Sequence, residues 1–157
     1  MQLELKSAVN FLTHLLRLAA TIEEYNLKLF HFHLTNELWR RYTKCWFVNK
    51  SMKGSAYRRI RLNGVRDPLL CKVARNSYIC EDLLYRSFPS QLMLWVDPFE
   101  VSYRIGEFGS ICVLYNSDSD VWTPGSDLSP VKESRRSMEQ YLDPRKSKAV
   151  QALSKYV

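Results

Sequence analysis

No stretch of this chain approaches the ~20 consecutive apolar residues that a membrane-spanning helix requires. Four cysteines, Cys45, Cys71, Cys80 and Cys112, form no C-x-x-C pair, so a zinc ribbon is not expected. Their scatter, with no secretory leader, points to free thiols in a reducing compartment and to a soluble intracellular protein. A Walker loop, a G-x-S-x-G elbow and an H-E-x-x-H helix are all missing, as is any internal repeat. Acidic residues are absent between Leu38 and Arg66, a stretch that carries nine basic ones.

What is present fits one domain and a tail. The chain has 157 residues, 46% of them apolar, which is enough for a real core. A net charge of +7 favours an acidic protein surface or nucleic acid as partner. The nine basic residues are Arg40, Arg41, Lys44, Lys50, Lys53, Arg58, Arg59, Arg61 and Arg66. They read either as an ordinary solvated face or as a contact for phosphate or carboxylate.

Residues 2–20 have helical periodicity, with Leu5, Ala8, Val9, Leu12, Leu15, Leu16 and Ala19 on one side. Leu12, Leu15 and Leu16 spell LxxLL, a form that docks into nuclear-receptor grooves and equally the buried stripe of a first helix. A second helix is expected from Thr21, capped by Thr21 and Glu24 as a capping box, with Leu27, Phe30, Leu34, Leu38 and Tyr42 on one face. The two should form an antiparallel hairpin. His31 and His33 point about 200° apart on a helix, so they cannot chelate one ion, and no metal or other cofactor is expected.

Tyr57–Leu62 alternates as a strand, with Ile60 and Leu62 inward and Tyr57, Arg59 and Arg61 outward. Asp67-Pro68 marks a helix start, and a short helix is expected around Cys80–Arg86. Gln91–Val96 alternates next, with Leu92, Leu94 and Val96 opposite Met93 and Trp95. Asp97-Pro98 makes a turn, Val101–Ile105 alternates again, and Ile111–Tyr115 follows Gly106 and Gly109 as a last short strand. The pattern predicts an α+β domain with a small antiparallel sheet packed against helices. Asp97 and Glu100 resemble a catalytic carboxylate pair only superficially, since an Asp before Pro ordinarily caps its own turn. No catalytic constellation is found, and no enzyme is expected. Beyond Tyr115, turn formers dominate. Residues 117–157 read as a linker, with two weakly helical pieces at Val131–Leu142 and Lys146–Val157 and a Ser129-Pro130 pair that fits a phosphosite or a plain loop.

Residues 94–107, LWVDPFEVSYRIGE, resemble box B of the BTG/Tob antiproliferative family, and GSICVLY continues the match in the manner of its BTG-one and BTG-two subgroup. Tyr42–Leu62, YTKCWFVNKSMKGSAYRRIRL, resembles box A at Tyr42, Trp46, Lys53, Gly54, Ser55, Tyr57, Arg58 and Ile60. It departs from the family at Val48–Ser51 and at Arg59. The resemblance covers roughly residues 1–116 and implies a non-enzymatic adaptor, acting in cytoplasm and nucleus, that binds the Caf-type deadenylase of the Ccr–Not complex. The positions it implicates are Tyr57, Asp67, Trp95 and Asp97. It also implies a contact of Glu107, Gly109, Ser110, Ile111, Val113 and Tyr115 with cytoplasmic poly(A)-binding protein, though Phe108 stands where an acid is usual. Two alternatives stay open. One is direct RNA binding through Arg40, Arg41, Lys44, Lys53, Arg58, Arg59 and Arg61, with Tyr57 as a stacking platform. The other is a cofactor for nuclear transcription factors acting through the LxxLL helix.

Overall fold

Helix α1, Gln2–Ala19, is the hub of the domain. The computed structural model describes residues 1–117, and the linker, Ser129-Pro130 and the two tail pieces expected further on lie outside them. Leu5, Ala8, Val9, Leu12, Leu15 and Leu16 are all fully buried, because α1 is wrapped on several sides. It packs against α2 (Glu24–Tyr42), α5 (Glu81–Ser87) and strands β2 (Leu92–Asp97), β3 (Glu100–Ile105) and β4 (Cys112–Asn116). Phe11 of α1 meets Tyr103 of β3 with ring centroids 4.6 Å apart.

Along α2, Leu27, Phe30, Leu34, Leu38 and Tyr42 form the buried stripe read from the sequence. The expected capping box does not form. Helix α2 begins at Glu24 with no side-chain cap, and the Glu24 carboxylate instead accepts a 2.8 Å bond from Arg17 across the interhelix connection. Glu23 is the N-cap, so Glu24 stands at the first helical position rather than the third and cannot close the box. On the far side of α2, Tyr25, Phe32 and Trp39 stand exposed at seven-residue spacing.

The sheet runs β1-β2-β3-β4 and is antiparallel throughout, as expected for an α+β domain. Leu92, Leu94 and Val96 point into the helices, and Met93, Trp95 and Asp97 lie half-buried on the other face. Strand β1 is shorter than its alternation implies. Only Ile60–Leu62 pairs with β2, while Ser55–Arg58 turns into a single helical turn, α3, after Gly54 in the left-handed region. Tyr57 is therefore not a strand residue. Helix α4, Pro68–Asn76, begins as read, with Asp67 Oδ1 accepting from Leu69 N–H at 2.8 Å. Gly109 has a local reason: a Cβ there would lie 2.0 Å from the Ile105 carbonyl oxygen.

The β2–β3 turn places Phe99 at φ 73°, the geometry of a type II turn after proline. Phe99 N–H donates to Glu4 Oε1 at 3.1 Å, and the N-terminal ammonium lies 2.5 Å from Glu4 Oε2. Burial alone would raise the Glu4 pKa, but the ammonium and the N–H donors outweigh it and hold the carboxyl below the usual range. A depressed carboxyl pKa stabilises the fold above its unfolded value and loses that contribution as pH falls through the folded value. Glu4→Gln should therefore be less stable than wild type at pH 7, with the difference shrinking on acidification below about pH 4. Urea denaturation across that range measures it, and parallel curves for the two proteins would refute it.

Candidate functional site

The chemistry of the domain concentrates where the 45–54 loop meets the end of β2, and Arg58 holds the two together. Its side chain is fully buried, with 0% exposure. Nε donates to the Val96 carbonyl at 3.0 Å and to Asp97 Oδ1 at 3.2 Å. Nη1 donates to the carbonyls of Lys53, at 2.9 Å, and Cys45, and Nη2 donates to the Ser51 carbonyl and to Asp97 Oδ1 at 2.5 Å. The Arg58 carbonyl in turn accepts from Tyr42 Oη at 2.7 Å. Burial pushes the Tyr42 pKa well above the usual phenol value, so the hydroxyl stays a donor.

This arrangement corrects two expectations. Arg58 is not part of any RNA-facing surface, because a cation at that depth is spent on one carboxylate and four carbonyls. Asp97 does not cap its own turn. Oδ1 takes the Arg58 guanidinium and Oδ2 accepts from Ser55 Oγ at 3.3 Å, leaving the side chain 22% exposed. The residue thereby anchors α3, and Tyr57 with it, to β2.

Tyr57 is 70% exposed on α3. Asp67, half-buried, caps α4, lies 3.8 Å from Arg41, and is tied through its backbone N–H to Tyr85 Oη at 2.6 Å. Trp95 sits opposite Ser102 on the face of the sheet away from the helices, with the Arg104 guanidinium 5.9 Å from its ring centre. Periodicity alone did not single out Arg104. Its signal is the β2–β3 register, which pairs Met93 with Arg104 next to the Trp95–Ser102 pair. Tyr57 and Asp67 flank β1 at one edge of the sheet. Glu107, Gly109, Ser110, Ile111, Val113 and Tyr115 lie on the β3–β4 loop and on β4 at the opposite edge. The two sets therefore belong to separate surfaces, with Trp95 on a strand between them.

Of the basic set, Arg40, Lys44, Lys53, Arg59 and Arg61 are exposed and Arg41 is half-buried beside Asp67. Arg41, Lys44 and Lys53 surround a cavity of about 470 Å³ whose other lining residues are Cys45, Phe47, Gly54 and Tyr57.

The family model described as "BTG family" matches residues 1–115, nearly all of the described fold. The chain belongs to the BTG family. Protein BTG2 of Rattus norvegicus is 50% identical over 112 residues, 71% of either chain. Protein BTG1 of Homo sapiens is 46% identical over 114 residues, 73% of this chain and 67% of the relative. Protein Tob2 of Homo sapiens is 36% identical over 120 residues, 76% of this chain but 34% of its own length. Among solved structures, the BTG/Tob domain of C. elegans FOG-3 superposes with a TM-score of 0.67 at 21% identity, over 76% of this chain and 95% of that one, a likeness of fold.

Proposed function

We propose that this BTG-family domain is a non-enzymatic, antiproliferative adaptor of cytoplasm and nucleus. It docks the Caf-type deadenylase of the Ccr–Not complex and promotes poly(A) shortening. The observation that carries the reading is the exposed Tyr57 held on a turn that the Arg58–Asp97 pair locks to β2, two residues from Trp95. Exposed aromatic rings on a rigid support are what interface hot spots are made of, since little entropy is lost on binding. Asp97 serves this surface mainly through Arg58, while Trp95 supplies apolar area. Asp67 offers a fixed carboxylate beside Arg41. The β4 edge is the region available to cytoplasmic poly(A)-binding protein.

The test is a pull-down of purified Caf-type deadenylase by wild type and by Trp95→Ala, each checked for folding by circular dichroism. Loss of a hot-spot Trp should weaken binding by ~30-fold or more, on the order of 2 kcal/mol. A wild-type protein that fails to capture the deadenylase refutes the adaptor reading.

A further inference from the structure

We infer that the cavity between the 45–54 loop and α3 is a binding site for single-stranded nucleic acid, taking one base inside and its flanking phosphates on the rim. The cavity opens to the surface and has a volume of about 470 Å³, within the range of ligand sites. Its lining combines two features. Phe47 and Tyr57 supply exposed aromatic surface, with the Cys45 side chain and Gly54 completing an apolar floor. Arg41, Lys44 and Lys53 supply cations, and no carboxylate lines the cavity. Gly54 is itself required there, at φ 79° and with a would-be Cβ 3.0 Å from the Cys45 carbonyl oxygen, so the floor stays low.

A flat apolar group carrying negative charge on its flanks matches this lining, and a nucleotide of an unpaired strand has that form. Bases stack on aromatic rings whatever their sequence, and lysine and arginine hold the backbone. A peptide with one apolar residue among carboxylates has some of the same chemistry. The spread of charge favours the polyanion. Lys50 and Arg59 on the same segment are also exposed, and no acidic residue occurs from residue 38 to residue 66. Lys53 Nζ lies 4.5 Å from the Phe47 ring centre, which covers that ring and leaves Tyr57 as the platform. A duplex cannot present a base to the cavity, so the site selects unpaired strands. The cavity shares Tyr57 with the proposed deadenylase surface but does not include Trp95, so Trp95→Ala tells the two contacts apart.

The experiment is fluorescence anisotropy with a labelled oligoadenylate of about ten nucleotides, unpaired and as a duplex, titrated with the full chain. Arg41 is already engaged by Asp67, so Lys44 and Lys53 predict a log–log salt slope near about −1.4 for the single strand between about 50 and 200 mM salt. Tyr57→Ala should weaken binding by ~10-fold or more. The double variant Lys44→Gln with Lys53→Gln should reduce the slope by about 1.4. Trp95→Ala should bind the oligonucleotide as wild type does while losing the deadenylase, which separates failure of one reading from failure of the other. Equal binding of the duplex, or a Tyr57→Ala protein that binds like wild type, overturns the inference. So does a Lys44/Lys53 variant that keeps the oligonucleotide but loses the deadenylase, since the cavity would then be a protein-docking pocket.

Discussion

Replacing Arg58 with methionine is expected to destabilise the domain by about 3–5 kcal/mol, the cost of breaking a buried ion pair on one side only. Four carbonyls lose their donor and the Asp97 carboxylate keeps its partial burial without its counter-charge. In a domain of this size that corresponds to a fall in melting temperature of about 10 °C or more. The urea midpoint should drop with the slope unchanged. Lysine should recover little, because an ammonium cannot reproduce the planar set of donors. Adding Asp97→Asn to Arg58→Met should cost less than the sum of the two single changes, since both remove the same contact. A change within about 0.5 kcal/mol of wild type for Arg58→Met would place the stability elsewhere. What remains folded should also bind partners less well, because Tyr57 would rest on an untethered turn.

Leu15→Ala is expected to lose about 2–5 kcal/mol, the range for truncating a buried leucine. Leu15 is 1% exposed, and Leu12 and Leu16 are also buried against α2 and the sheet. No leucine of the LxxLL motif can enter a receptor groove while the domain is folded, so the transcription-cofactor reading loses its residues. Leu18, on the same helix but 51% exposed, is the control. Its alanine variant should stay within about 0.5 kcal/mol of wild type. A Leu15→Ala protein of unchanged stability that lost a nuclear partner would reverse this conclusion.

Much of the fold was legible because it depends on periodicity. Helices α1 and α2, the Asp67 cap and the alternation of β2 each follow from local spacing that one buried face imposes. Two local readings failed. Tyr57–Leu62 alternates like a strand, but Arg58 draws Ser55–Arg58 into a helical turn to reach carbonyls at Cys45, Ser51 and Lys53. Thr21 and Glu24 have capping-box spacing, but Glu23 is the N-cap and Glu24 the first helical residue.

Apart from the α3 turn, the order of the main helices and strands, the face each one buries and the membership in the BTG family were therefore determined by the sequence alone. Tertiary structure decided which charges are available. Arg58 and Arg59 are neighbours of identical type, yet one is fully buried and the other exposed. Asp97 is a turn acid by spacing, yet it serves as the counter-charge of a residue 39 positions earlier. Periodicity depends on neighbours along the chain, whereas the fate of a charge depends on what lies across from it, and only the folded chain brings that partner into place.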